Sequence, residues 1–158
     1  MTVVRGISDV IPVTYTTVAE AYTAGDQVGT LTEIPNALID PSCSVALLSL
    51  SVLDKASQSV DLDVLFFNDE VTVASGNNDA VSITDAEMAE HYLGKVSIQS
   101  SDYTALAANS EATINGIGLL LQGAKKKSRS LYFLVVTRGA PTFVGTSDLV
   151  FKFGLCKE

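Results

Sequence analysis

The sequence predicts an all-β protein, an antiparallel β-sandwich or jelly roll of about eight strands with one short helix. Three observations lead there. Short stretches of alternating apolar and polar residues recur, "VGTLTEI" and "SVDLDVLFF" among them. Clusters of Gly, Asn, Asp, Ser and Pro separate them, as turns do. Helical periodicity does not alternate with the strands, so a parallel α/β sheet is not expected.

Taken in order, residues 1–12 lack a clear period and read as an N-terminal arm or edge segment. Residues 13–158 read as a single sandwich domain, of a size that can bury a core without metal or disulfide staples. "PVTYTTVAEAYTAGDQVG" is rich in Thr, Val and Tyr, which suit a pleated, half-buried surface. Gly25-Asp26 turns the chain, and "VGTLTEI" alternates up to Pro35. In "SVALLSLSVLDKASQSVDLDVLFF", Ala46, Leu48, Leu50 and Val52 fall on one face, with Ser49 and Ser51 on the other. Polar "DKASQS" then reverses the chain, and Val60, Leu62, Val64 and Phe66 face inward. This reads as a hairpin or a pair of adjacent strands.

After a turn at Gly76-Asn77-Asn78, "SITDAEMAEHYLG" is the helix. Thr84 is its cap, Glu87 completes a capping box and Gly94 is its stop. "KVSIQSSDY" returns to strand. "ATINGIGLLLQG" is a strand whose glycines suggest a bulge. "KKKSRS" is a basic turn. "SLYFLVVTRG" is apolar on both faces and reads as a central strand. The closing strand, "SDLVFKFGLCKE", puts Leu149, Phe151, Phe153 and Leu155 on one side.

Charge and chemistry narrow the function. Of 158 residues 18% are charged, the net charge is −8 and the mean hydropathy is positive. A typical domain carries roughly 25% charged residues. Acidity opposes general nucleic-acid binding, and low charge points to apolar surface hidden in a homo-oligomer or partner. "MTVVRGISDVIPV" lacks the apolar core of a signal peptide, and no run is long enough to span a membrane. Cys43 and Cys156 are expected to be small buried hydrophobes that stay reduced.

Asp54, Asp61, Asp63 and Asp69 raise the question of a cation or acid/base site. Asp61 and Asp63, two apart on a strand, share a face. With Ser49 and Ser51 marking the polar face of the supposed neighbour, the pair reads as the wet side of a half-solvated sheet. Neither "NDE" at 68–70 nor "NNDA" at 77–80 has the ligand series of a calcium loop. His91, the one histidine, sits at the helix end, where a cation is favourable or simply exposed. No catalytic residue, metal ligand or cofactor is assigned, and the chain is expected not to be an enzyme. Lys125, Lys126, Lys127 and Arg129 hold four of the ten basic residues. They read as an exposed loop blunting a sheet edge, or as a candidate surface for an acidic protein.

Four stretches carry a resemblance: "AYTAGDQVG", "SVLDKASQSVDLDVLFFND", "VSITDAEMAEHYLGKVSI" and "LYFLVVTRGAPTFVGTSDLVFKFGL". Together, over residues 20–155, they resemble a group of small tailed-bacteriophage virion proteins. Their marks are the "DKA-Q" turn, the "SITDAE" helix and the late "VTRG-PT" followed by "SDL". The resemblance implies a β-rich capsid auxiliary protein, of the decoration or cement type, with the major capsid protein as its partner. Its location would be the capsid surface of the virion, after synthesis in the host cytoplasm. It brings no catalytic residues. A tail or baseplate component, or a glycan-binding host-attachment sandwich, is the alternative. Strand edges and low charge together predict a small homo-oligomer, trimer ahead of dimer.

Overall fold

β-branched and aromatic residues dominate the alternating runs, and the chain pairs them into nine strands. The computed structural model describes residues 7–126 and 128–157. The strands are β1 (Ile7–Tyr15), β2 (Gln27–Ile34), β3 (Ser44–Asp54), β4 (Leu62–Phe67), β5 (Tyr92–Ile98), β6 (Tyr103–Ala105), β7 (Ser110–Gln122), β8 (Leu131–Thr137) and β9 (Leu149–Lys157). One helix, α1 (Asp85–His91), precedes β5 directly. Five strands form one sheet in the order β1-β9-β3-β7-β6, and four form the other in the order β2-β8-β4-β5. Every pairing is antiparallel. Residues 7–12 lie in the first part of β1, the edge strand beside β9.

The inner faces of the two sheets meet in one core. Phe66 and Phe133 of the smaller sheet pack edge-on against Phe153 and Phe151 of the larger, with ring centres 5.9 and 5.5 Å apart. Such tilted contacts suit aromatic quadrupoles. β8 is buried along nearly its whole length, as its two apolar faces require. Leu149, Phe151, Phe153 and Leu155 of β9 are buried together.

One side chain links the sheets through a gap in a ladder. The β2–β8 register shifts between Val28 and Thr32. There the Val135 N–H donates instead to the hydroxyl of Tyr15, at 3.1 Å, which reaches across from the larger sheet. Burial pushes the Tyr15 phenol far above its ordinary range, so it stays protonated. Gly29 lies at the shift with φ +71°, and a Cβ there would sit 2.4 Å from the Thr16 carbonyl oxygen and from the Tyr15 ring. Only glycine fits.

Three local expectations are corrected. β3 and β4 are neither a hairpin nor neighbours, because β3 pairs with β7 and β9 while β4 pairs with β5 and β8. The chain arches from one sheet to the other. The buried Asp54 carboxylate organises that arch by accepting the N–H groups of Ala56 (3.0 Å) and Ser59 (2.8 Å).

Within β3, Val45, Leu47, Leu50 and Val52 are buried, while Leu48 is exposed. The register against β9 shifts between Leu47 and Ser49, so Leu48 is an extra residue there and reverses the parity of the strand. Opposite it in β7, Gly116 and Gly118 both take φ +67°. Gly94 does not stop α1. Tyr92 is already extended, and Gly94 lies inside β5 opposite Phe66. Thr84 caps the helix, accepting the Glu87 N–H at 3.3 Å.

Candidate functional site

The carboxylates that raise the question of chemistry are separated and individually engaged. Asp54 is consumed by the arch after β3. Asp61 accepts the Ser100 N–H at 2.5 Å. Asp69 pairs with Lys126. Asp63 is not on a wet face. It is only 5% exposed, and its side chain is bracketed by Ser97 Oγ at 2.6 Å, Arg138 Nε at 2.8 Å and Lys95 Nζ at 3.1 Å. These three come from the outer face of the smaller sheet, across the pairings Asp63–Ser97 and Asp63–Val136. Burial alone would raise the Asp63 carboxyl, but the bonds from Ser97, Arg138 and Lys95 outweigh it and hold it below the usual carboxylate range.

Ser49 and Ser51, on the other sheet, have no part in this arrangement. Alternation puts Asp63 on the outward side, but the sequence cannot reveal that two cations close over it. Arg138 lies 75 residues away in the chain.

The oxygen-rich loops are self-contained. Asn77 Oδ1 accepts from the Tyr22 hydroxyl at 2.7 Å and the Gly29 N–H at 2.8 Å, and Asp79 accepts the Gly76 N–H at 3.0 Å. Asp26 takes the Thr23 N–H and hydroxyl at 2.6 and 2.7 Å. Among the described residues no group of three His, Cys, Asp or Glu is placed to hold a metal ion.

His91 is neither a bare cap nor simply exposed. Its Nδ1 lies 2.9 Å from Asn68 Oδ1, and its Nε2 lies 3.9 Å from Glu87 and 3.8 Å from Glu90. With the Asn68 N–H donating to the His91 carbonyl at 3.0 Å, the ring clips α1 to the turn after β4.

The basic turn is brought together only in part. Lys126 reaches Asp69, so one of its charges is answered within the chain. Lys125, at φ +60°, and Arg129 are exposed and make no ion pair among the described residues. Lys127 lies outside the described residues. The Arg129 carbonyl accepts the Leu38 N–H at 2.9 Å, tying the turn to the loop after β2.

Cys43 and Cys156 are unpaired, and half-buried rather than buried. They line one shallow hollow with Ala46 and Leu120. Ala46 faces Cys156 across β3 and β9, which explains how residues so distant in sequence share a surface.

What the surface does carry is aliphatic. The exposed large apolar residues are Ile7, Val10, Ile39, Leu48, Leu106, Leu120 and Val144. Five of these lie at one end of the larger sheet, divided among three hollows: Val10 and Leu48 line one, Ile7 and Ile39 another, and Leu120 a third. Ile7 is opposite Lys157 and Val10 opposite Gly154. Ser49, beside the bulged Leu48, is opposite Gly154, and Leu120 is opposite Ala46. Ile39 shares a cleft with Ile7. The parity reversal at Leu48 turns that leucine out toward this end, a feature that regular alternation would hide. No aromatic side chain joins them. All six Phe residues are buried, and the five Tyr residues are buried or half-buried.

The chain matches no protein-family profile. It matches no curated protein either. Among solved structures, a chain of Desmodium yellow mottle tymovirus aligns with 99% of this chain and 82% of its own length, at 10% identity and a TM-score of 0.29. With a score of that size, the fold rests on the strand pairings described above.

Proposed function

We propose that the chain is a non-enzymatic structural protein of a virus particle, a decoration or cement protein that binds the outside of a tailed-phage capsid. The sequence phrases at residues 20–155 support the class. One structural observation supports binding over catalysis: exposed aliphatic side chains at one end of the larger sheet, Val10 and Leu48 in one hollow and Ile7 and Ile39 in another. Patches of that kind mark interaction surfaces. The carboxylates and the histidine, by contrast, are spent on arches, loops and clips.

A glycan-binding role would call for exposed aromatic rings to stack on sugar faces, and the aromatic side chains here are turned inward. The major capsid protein is the proposed partner, and a small homo-oligomer, trimer or dimer, the proposed form on the particle. β1 and β6 edge the larger sheet, and β2 and β5 the smaller, leaving strands available for such contacts. No helix among the described residues is long and apolar enough to cross a membrane.

The test is the copy number in purified particles, measured by quantitative mass spectrometry against the major capsid protein. A stoichiometric ratio to the coat subunit is expected. A few copies per particle would move the protein to the tail, and absence from particles would refute the reading.

A further inference from the structure

We propose that Asn115 is a site of spontaneous deamidation in the folded protein, where the Gly116 main-chain nitrogen converts a neutral amide on the outer face of the larger sheet into a carboxylate. The reaction runs on the isolated chain and needs no partner, catalyst or cofactor.

The chemistry makes three demands. The next main-chain nitrogen must reach the asparagine side-chain carbon with no side chain in the way. That nitrogen must not be held in a ladder, and the amide must be free to turn. Asn115 is the one asparagine of the chain followed by glycine. Gly116 is exposed with φ +67°, and even a Cβ built there would meet no atom within 4 Å. Water and hydroxide can therefore approach its N–H.

The ladder fails at Gly116 on both sides. β3 and β7 pair Leu47 with Leu119 and Ser49 with Asn115, so residues 116–118 stand against Leu48 alone. On the other flank, β6 pairs with β7 only from Ser110 to Ala112. Backbone without paired neighbours opens locally at little cost.

The other asparagines lack this combination. Asn68 Oδ1 lies 2.9 Å from His91 Nδ1, and Asn77 Oδ1 accepts two hydrogen bonds. Asn78 donates to Glu20 at 3.3 Å. Asn36 and Asn109 precede Ala37 and Ser110, both 0% exposed. Asn115 is exposed, and its amide has no such partner among the described residues.

The atoms balance without an oxidant or reductant. The Gly116 nitrogen gives up its proton to hydroxide and bonds to Asn115 Cγ. The Cγ–Nδ2 bond breaks and ammonia leaves, closing a succinimide ring. Water then opens the ring. Attack at Cγ gives aspartate, and attack at the main-chain carbonyl gives isoaspartate, which lengthens the backbone of β7 by one carbon. The new charge arises among uncharged neighbours, since Ser49, Ser51 and Thr113 flank Asn115 on this face.

The test incubates the full-length native protein at mildly alkaline pH and, in parallel, the same chain unfolded in urea. Ion exchange follows acidic species, peptide mapping by mass spectrometry locates them, and methylation by an isoaspartyl methyltransferase reports isoaspartate. Conversion is expected at Asn115 ahead of every other asparagine, faster as pH rises, and at a native rate within about tenfold of the unfolded chain, as local opening at little cost requires. Asn115→Gln, at an exposed position, should keep the melting temperature of the wild type and lose the acidic species. An Asn115 amide that survives in the native protein after the unfolded chain has fully converted would overturn the proposal. So would conversion led by another asparagine, or acidic species that form at an unchanged rate in Asn115→Gln. Mapping of the wild type decides the first two outcomes even if the variant fails to fold.

Discussion

Replacing Tyr15 by Phe removes one oxygen atom from the centre of the sandwich and nothing else. The ring keeps its neighbours, Phe133 at 5.0 Å and Phe151 at 5.6 Å between centres. What is lost is the acceptor for the Val135 N–H. Val135 and Tyr15 are both 0% exposed, so water cannot replace the hydroxyl without opening the core. The cost is therefore that of a buried unsatisfied donor, roughly 1–3 kcal/mol, rather than the smaller net worth of an average hydrogen bond. For a domain of this size that is on the order of 2–10 °C in melting temperature. Urea unfolding followed by circular dichroism should show a lower midpoint with an unchanged slope, since the exposed area of unfolding is the same. Amide exchange at Val135 should accelerate selectively. A stability loss below about 0.5 kcal/mol with Val135 exchange unaltered would refute the view that this hydroxyl closes the gap in the β2–β8 ladder.

Gly29→Ala at the same gap should cost more, roughly 2–5 kcal/mol, because a left-handed backbone and two contacts at 2.4 Å act together; calorimetry of the variant checks it. Asp63→Asn should cost about 0.5–1.5 kcal/mol, a modest figure because Lys95 and Arg138 are 51% and 52% exposed and turn to water once released. The Asp63 carboxyl is held below its ordinary value, so its contribution is complete above the unfolded pKa of about 3.9 and disappears as pH falls through the lower folded value. Wild type and variant should therefore converge in stability below about pH 4, and a gap that persists or widens there would contradict the ion-pair account. Cys43 and Cys156, half-buried and unpaired, should both react with a thiol reagent in the native protein, and intact mass without reductant should show no two-hydrogen deficit.

The sequence makes single strands legible and leaves pairings largely hidden. Alternation locates β4 correctly, with Leu62, Val64 and Phe66 inward, because no irregularity interrupts that strand before Phe66. The same rule fails across β3, where one extra residue at Leu48 shifts the parity. The glycines of "NGIG" in the facing strand were the available signal, and they mark where β7 accommodates the irregularity. Adjacency in sequence suggested that β3 and β4 pair. A polar linker of a few residues serves a hairpin and an arch equally well, and the choice depends on where the Asp54 carboxylate finds its N–H donors. The candidate surface was legible only in its charges. Arg129 stands out in the chain, but its neighbours Ile7 and Ile39 arrive from segments 90 or more residues away, through β9 and the loop after β2.

The position of β9 also governs how the molecule can be made. It lies between β1 and β3, pairing with both along nine residues of β1, so the larger sheet has no continuous interior until residues 149–157 are available. A chain emerging from the ribosome presents β1 and β3 long before their shared neighbour exists. Contacts spanning most of the chain close late and fold slowly. During that interval the waiting strand edges can pair with other nascent chains. Synthesis at high level should therefore favour inclusion bodies over soluble protein unless translation is slowed or chaperones are abundant, and the yield of folded protein should respond to expression temperature more steeply than its thermodynamic stability does.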